Sequence, residues 1–173
     1  MSPKHGEKAA DDAAVPGVRQ IKLRSAMTMS TDKGGVFDTL LGLVRHGLGG
    51  REGDGRQFVS WIHDYDFIRA IYWIIEQETV EGAVNLTAPN PLPNAEFLAT
   101  LRSACGTKIG LPAADWMLEV GTLLLQTETE LVLKSRRVIP TRLLQSGFEF
   151  DFPNWTGAAG DLCRRWRNSI RTV

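Results

Sequence analysis

Gly55-Arg56-Gln57-Phe58-Val59-Ser60-Trp61-Ile62-His63-Asp64 runs without a break into Tyr65-Asp66-Phe67-Ile68-Arg69-Ala70-Ile71-Tyr72-Trp73-Ile74-Ile75, and the pattern changes period midway. Phe58 to His63 reads as a short extended segment. Asp64 or Asp66 can then cap a helix, whose apolar face is expected at Phe67, Ile68, Ile71, Ile74 and Ile75. Next, Ala83-Val84-Asn85-Leu86-Thr87 reads as a strand closed by Pro89-Asn90-Pro91, and Asn94 opens a helix carrying Phe97, Leu98, Leu101 and Ala104 as far as Gly106. Extended and helical segments in alternation predict an α/β fold.

Upstream, Val18 to Met29 alternates apolar and polar residues through Ile21 and Leu23, the period of a strand. A loop at Asp32-Lys33-Gly34-Gly35 precedes a helix with Val36, Leu40, Leu41, Leu43 and Val44, stopped by Gly47, and a glycine-rich connector runs from Gly47 to Gly55. Residues 1–17 are polar and end in Val15-Pro16-Gly17, which predicts a loose tail.

Downstream the character shifts. Trp116, Met117, Val120, Leu123 and Leu124 form a helical stripe with no intervening strand, so a helical cap is expected. Val138-Ile139-Pro140 leads into a short helix from Arg142 to Ser146. Phe148-Glu149-Phe150-Asp151-Phe152 alternates as a strand would, and a last helix from Thr156 to Arg167 is expected to bury Ala159, Leu162, Cys163 and Trp166, its arginines placed where the helix dipole favours positive charge.

Composition narrows the function classes. Apolar residues make up 43% and charged residues 23% of the 173, which suits a folded globular chain rather than a disordered one. Twenty basic residues balance twenty acidic ones, so there is no net field to attract nucleic acid or an anionic membrane. Neither partner is expected. The N-terminal residues carry no apolar run of the kind a secretory signal needs, and a cytoplasmic location is the expectation. His5, His46 and His63 show no zinc-ligand spacing, and no metal is expected. The two cysteines, Cys105 and Cys163, lie far apart in sequence at apolar helical positions and read as buried free thiols in a reducing compartment.

Four motifs bear on chemistry. Gly47, Gly50 and Gly53 imitate a dinucleotide-binding glycine fingerprint, but a helix precedes them and an extended segment follows, the reverse of the strand-to-helix turn that presents amides to pyrophosphate. They read as connector. Proton transfer by a tyrosine needs a lysine one helical turn later, whereas Tyr65 is followed by Arg69 and Tyr72 by Glu76. Ser60 and His63 lack the turn that exposes a nucleophilic serine. The segment 53–64 is the richest in polar groups among aromatics: Arg56 can pair with phosphate, Gln57 and His63 can hydrogen-bond, and Trp61 can offer a flat surface to a ring. Set against that ligand wall is a strand whose His63 and Asp64 simply cap the following helix.

Gly55 to His63, Val84-Asn85-Leu86-Thr87-Ala88-Pro89-Asn90-Pro91 with Asn94-Ala95-Glu96-Phe97, and Ser135-Arg136-Arg137-Val138-Ile139-Pro140 leading to Gly147-Phe148-Glu149-Phe150 closely resemble the C-terminal part of the atypical extended short-chain dehydrogenases. These are the NAD-dependent epimerase/dehydratase family proteins that end in a small domain of unknown function. The resemblance covers about Val18 to Arg167. It implies a partial Rossmann-like region over residues 18–106, with Val18–Met29 and 84–88 as late parallel strands. Residues 107–173 would then be a small, mostly helical C-terminal domain over the substrate.

It also implies that the cofactor, NAD or NADP, and a Tyr-Lys pair belong to a preceding half. The chain begins just after that pair, so it is expected to bind no cofactor and to be inactive alone. Arg24, Met27, Gln57, Trp61, His63 and Asn90 are, by position, the residues expected to face the cleft, where the family often takes a nucleotide-linked sugar. A sheet lacking its first strands has a bare edge, so an N-terminal half or a second copy is the expected partner. The alternative is a non-catalytic ligand- or protein-binding module.

Overall fold

A computed structural model describes residues 12, 15–51, 53–111 and 137–171. Its elements are β1 (Ile21–Ser25), β2 (Met27–Met29), α1 (Val36–Arg45), β3 (Phe58–Val59), β4 (Trp61–His63), α2 (Asp64–Glu76), β5 (Gly82–Leu86), β6 (Leu92–Pro93), α3 (Asn94–Cys105), α4 (Thr141–Gln145) and α5 (Trp155–Arg171). The fold is α/β, as the alternation predicts. The stripe at Trp116 to Leu124 and nearly all of the expected tail lie outside the described residues.

The expected strand from Val18 to Met29 is in fact two strands that differ in partner. β1 pairs in parallel with β5, Ile21 opposite Gly82 through Ser25 opposite Leu86. After Ala26, β2 pairs in parallel with β4, Met27 opposite Trp61 and Met29 opposite His63. Ala26 marks the change: its N–H still donates to Leu86 O at 2.9 Å, while Ala88 N–H reaches Trp61 O at 2.7 Å. β3 and β6 form a short antiparallel pair, Phe58 opposite Pro93.

Two apolar clusters follow from strand alternation, because successive side chains point to opposite faces. Trp61 belongs to one, with Met29, Phe37, Leu41, Val44, Phe97, Leu101, Trp155 and Leu162. Its neighbour Ile62 belongs to the other, with Ala70, Ile74, Val84, Leu86, Leu143 and Phe148. Phe97 stacks on Trp155 at 4.2 Å between centroids, Trp61 lies 4.9 Å from the same ring, and Trp155 Nε1 donates to Phe97 O at 2.9 Å. Burying each such large side chain contributes about 1.5–3 kcal/mol.

α3 starts where Asn94 is expected to start it, but no side chain caps it. Backbone does so instead: Asn94 N–H donates to Gln57 O at 2.9 Å and Ala95 N–H to Gly55 O at 3.0 Å. Gly55 is fixed at φ 73°, and a Cβ there would stand 2.8 Å from that of Ala95, so only glycine lets the connector approach the helix. At the far end of the sheet Arg19 caps α2, donating to Ile75 O at 2.9 Å, Gln77 O at 2.6 Å and Val80 O at 3.1 Å.

Three expectations need correcting. Neither Asp64 nor Asp66 occupies the N-cap of α2; His63 does, its ring accepting from Tyr65 N–H at 3.1 Å. The buried face of that helix is Asp66, Ala70 and Ile74, flanked by Phe67 and Ile71, whereas Ile68 and Ile75 are exposed with Tyr65 and Tyr72. The helix is apolar over more than one stripe, and the buried hydrogen bonds of Asp66 select which one turns inward. Finally, Phe148–Phe152 forms no strand. Asp151 N–H and Phe152 N–H donate to Asp66 at 3.0 and 2.9 Å, so a ladder has no claim on them. No helix among the described residues is long and apolar enough to cross a membrane.

Candidate functional site

Where β1 ends and β2 begins, the change of partner opens the sheet. A cleft of about 790 Å³ lies there, walled by five consecutive residues, Arg24, Ser25, Ala26, Met27 and Thr28, and by Ser30 and Asp32 beyond them. Gly35 and Val36, at the start of α1, close one side. Phe58, Val59 and Ser60 close another, with Asn85 and Val138 completing the wall. In open α/β sheets ligands settle outside the carboxyl ends of parallel strands, and both Ser25 and Asn85 stand near such an end.

The lining is polar on one side and apolar on the other. Ser25 Oγ donates to Ala26 O at 2.8 Å and lies 3.3 Å from Thr28 Oγ1. Asn85 Nδ2 reaches Ile139 O at 3.4 Å, and Ser60 Oγ accepts Val138 N–H at 3.1 Å, so two cleft residues hold the segment that enters α4. The Arg137 guanidinium lies over the Phe58 ring at 5.0 Å. Hydroxyls, an amide and a guanidinium beside Met27, Val36 and Phe58 suit a ligand that is hydroxylated or anionic at one end and flat or apolar at the other.

Of the six residues expected to face a ligand, the structure places Arg24 and Met27 in this cleft, and not the other four. Trp61 is wholly buried against Trp155 and cannot present a surface to a ring from solvent. It faces inward because its register partner Met27 and the neighbouring Phe97 and Trp155 build the larger cluster on that face. His63 is also buried, stacked on Phe152 at 3.9 Å between centroids; its Nε2 lies 3.2 Å from Asp161 Oδ2, and its Nδ1 caps α2. Gln57 gives its carbonyl to the start of α3. Asn90 Nδ2 donates to Pro153 O at 3.2 Å and Asn154 Oδ1 at 2.8 Å, fixing the turn before α5. Of the two readings of the 53–64 segment, helix capping describes His63.

Sequence reasoning missed Ser25, Thr28, Ser30, Asn85 and Val138, and reached Phe58 and Ser60 only as part of the 53–64 ligand-wall segment. The observed register, Arg24 opposite Asn85 and Ser25 opposite Leu86, is what brings Ser25 and Asn85 to the cleft, and the expected strand from Val18 to Met29 hides it by running past Ser25 without a break. Sequence reasoning missed as well the charged network behind His63. Arg165 donates to Asp64 at 2.8 and 2.7 Å and lies 3.6 Å from Asp161. Burial alone would raise the Asp64 carboxyl, but the hydrogen bonds and charge of Arg165, with the His63 ring beside the carboxylate, outweigh it and hold the group far below the usual carboxylate range.

The glycines at 47, 50 and 53 do not form a dinucleotide cradle. Gly47 ends α1, with its N–H donating to Val44 O at 3.0 Å, and Gly50 N–H donates to Leu111 O at 3.0 Å. Extended backbone follows them rather than a helix N-terminus. Among the described residues no group of three or more His, Cys, Asp or Glu side chains could hold a metal ion.

A family profile described as Domain of unknown function (DUF1731) matches residues 113–162. The chain is 34% identical over 154 residues to the epimerase family protein SDR39U1 of Homo sapiens, covering 87% of this chain and 51% of that protein. It is 33% identical over 159 residues to the epimerase family protein MW0731 of Staphylococcus aureus, covering 91% and 51%. The crystal structure of human SDR39U1 with NADPH superposes with a TM-score of 0.81 at 29% identity, over 93% of this chain and 54% of that one. A nucleoside-diphosphate sugar epimerase from Corynebacterium glutamicum superposes with a TM-score of 0.64 at 26% identity, over 98% and 32%. The chain thus spans about half the length of the curated relatives it matches, and by sequence and by fold it belongs with the C-terminal half of the epimerase family of short-chain dehydrogenases/reductases.

Proposed function

We propose that this chain forms the substrate-side wall of an NAD(P)-dependent epimerase- or dehydratase-like oxidoreductase and takes a nucleotide-linked, hydroxylated small molecule in the cleft at Ala26. The observation that carries the reading is the position of that cleft at a change of strand partner, with Arg24, Ser25, Thr28 and Asn85 around it. Two structural neighbours, human SDR39U1 crystallised with NADPH and a nucleoside-diphosphate sugar epimerase, support the same class. The chain's own glycines do not fit a dinucleotide, so the cofactor and the proton-transferring tyrosine come from a nucleotide-binding half. Arg24 would pair with phosphate or orient a sugar, and Met27 and Phe58 would pack against its ring.

The test is reconstitution. The chain is mixed with the separately produced nucleotide-binding half of a relative, and NADPH fluorescence and UDP-glucose calorimetry are recorded for each part and for the pair. NADPH binding by the pair, and by neither this chain alone nor a pair carrying an unfolded partner, is the expected result. A well-folded pair that binds no NADPH overturns the proposal.

A second reading, a binding module without catalysis, draws on one observation: both tyrosines lie on the exposed face of α2, Tyr65 at 53% and Tyr72 at 64% exposure, away from the cleft. Binding of UDP-glucose by the chain alone, undiminished when Tyr65 and Tyr72 are changed to Phe, would favour it.

A further inference from the structure

Cys105 and Cys163 are 58 positions apart, yet their sulfurs lie 2.7 Å from each other. Both are free thiols. A disulfide holds its sulfurs about 2.05 Å apart, so the pair needs to close by less than about 1 Å to bond. Cys105 is the last residue of α3 and half-buried; Cys163 is on the inner face of α5 and wholly buried. We propose that this pair is an oxidation site, at which a hydroperoxide converts the two thiols to a disulfide that pins the end of α3 to α5.

The surroundings assign the two roles. Cys105 is the less buried residue of the two, and Arg167 and Arg45 both act on it. The carboxyl end of a helix would oppose a thiolate there, but Arg167 donates to Ala104 O at 2.6 Å and so brings its charge to that end. The hydrogen bond from Cys163 lowers the Cys105 thiol, and the same bond together with burial pushes the Cys163 thiol up. Cys105 is therefore the attacking sulfur and Cys163 the resolving one.

The chemistry balances in two steps. The Cys105 thiolate attacks the outer oxygen of the hydroperoxide, the O–O bond breaks, the inner oxygen leaves as an alkoxide and takes a proton from water, and Cys105 is left as a sulfenic acid. The Cys163 sulfur then attacks the Cys105 sulfur; its thiol proton goes to the departing hydroxide, which leaves as water. Two thiols and one hydroperoxide give one disulfide, one alcohol and one water. The bond would enclose residues 106–162, and with them the whole stretch matched by the family profile, so oxidation would constrain the segment between the two helices.

The full chain, reduced and then exposed to one equivalent of hydrogen peroxide, tests this. Its intact mass should fall by the mass of its two thiol hydrogens, a non-reducing digest should yield a Cys105–Cys163 peptide, and dithiothreitol should reverse both. The oxidised chain should melt about 5–10 °C higher. Cross-linking in the folded chain should outpace that in the urea-unfolded chain by at least about tenfold, since only the fold brings the sulfurs together. In Cys163→Ser, dimedone should trap a sulfenic acid on Cys105. Oxidation of Cys105 to sulfinic acid without a cross-link, equal rates folded and unfolded, or a disulfide between two chains would each overturn the proposal. The rate comparison on the unaltered chain decides the matter even if the serine variant does not fold.

Discussion

Arg165, on α5, grips Asp64, at the start of α2, with both of its terminal nitrogens at 2.8 and 2.7 Å. The folded-state pKa of Asp64 is depressed from its ordinary 3.8, so the unfolded chain binds the proton more readily. The contribution is full above about pH 5 and is lost as pH falls below the ordinary value and through the folded one. Asp64→Asn should flatten the acid limb of a stability–pH curve measured by urea unfolding. Because Arg165 is 39% exposed, the loss at neutral pH should be only about 1 kcal/mol.

A larger loss is expected at Asp66. It is fully buried and accepts the N–H groups of Asp151 and Phe152, with Arg69 beside it at 3.3 Å. Asp66→Ala leaves two amides without a partner and should cost about 2–4 kcal/mol in chemical denaturation. Arg69→Met, which keeps the carboxylate, should cost less.

Arg24 lines the cleft and is exposed, outside both apolar clusters. In the reconstituted pair, Arg24→Ala should weaken UDP-glucose about tenfold in calorimetry, the loss of one charge-assisted hydrogen bond, while leaving the melting temperature within about 2 °C. Unchanged affinity would remove Arg24 from the site.

Trp61→Ala should behave in the opposite way. Its indole fills the larger cluster, and a cavity of that size costs about 3–5 kcal/mol. The variant should lose its cooperative unfolding transition at a far lower denaturant concentration, and any loss of binding should follow from that.

Among the described residues β1 is paired only along β5, and Leu23 on it is 45% exposed. We expect the isolated chain to self-associate through this edge. Sedimentation should show species above 19.1 kDa that dissociate when the nucleotide-binding half is added. A monodisperse monomer would count against edge pairing.

Period and punctuation made much of the fold legible: α1, α3 and β5 follow from Val36 to Gly47, Asn94 to Gly106 and Ala83 to Thr87, while the parallel pairing of β5 with β1 is an implication of the family resemblance. What stayed hidden depends on contacts distant in sequence. The break at Ala26 has no marker, because both β1 and β2 are extended and only their partners differ. Phe148 to Phe152 alternates like a strand, and nothing local reveals that Asp66 takes its amides. Trp61 and His63 looked suited to a ligand because aromatic and polar residues share one run; which way each points is set by Trp155, Phe152 and Asp161, far along the chain. Arg24 and Met27, named from the family resemblance, line the cleft, whereas Ser25 and Asn85 were not named because nothing local marks the end of β1, and Val138 was not because the approach of a loop cannot be counted.

The stretch from Phe148 to Phe152 is held by a carboxylate, an arginine and two aromatic faces, with no neighbouring strand among the described residues to zip against. Such a stretch can detach as a unit without tearing the sheet, so its amides should exchange with deuterium sooner than those of β1 and β5. Lifting it would also uncover His63, which Phe152 now covers. The histidine that capped a helix in the closed state would meet water first in the opened one, and the earliest step of unfolding would begin at the C-terminal side of the molecule while the cleft at Ala26 still stood intact.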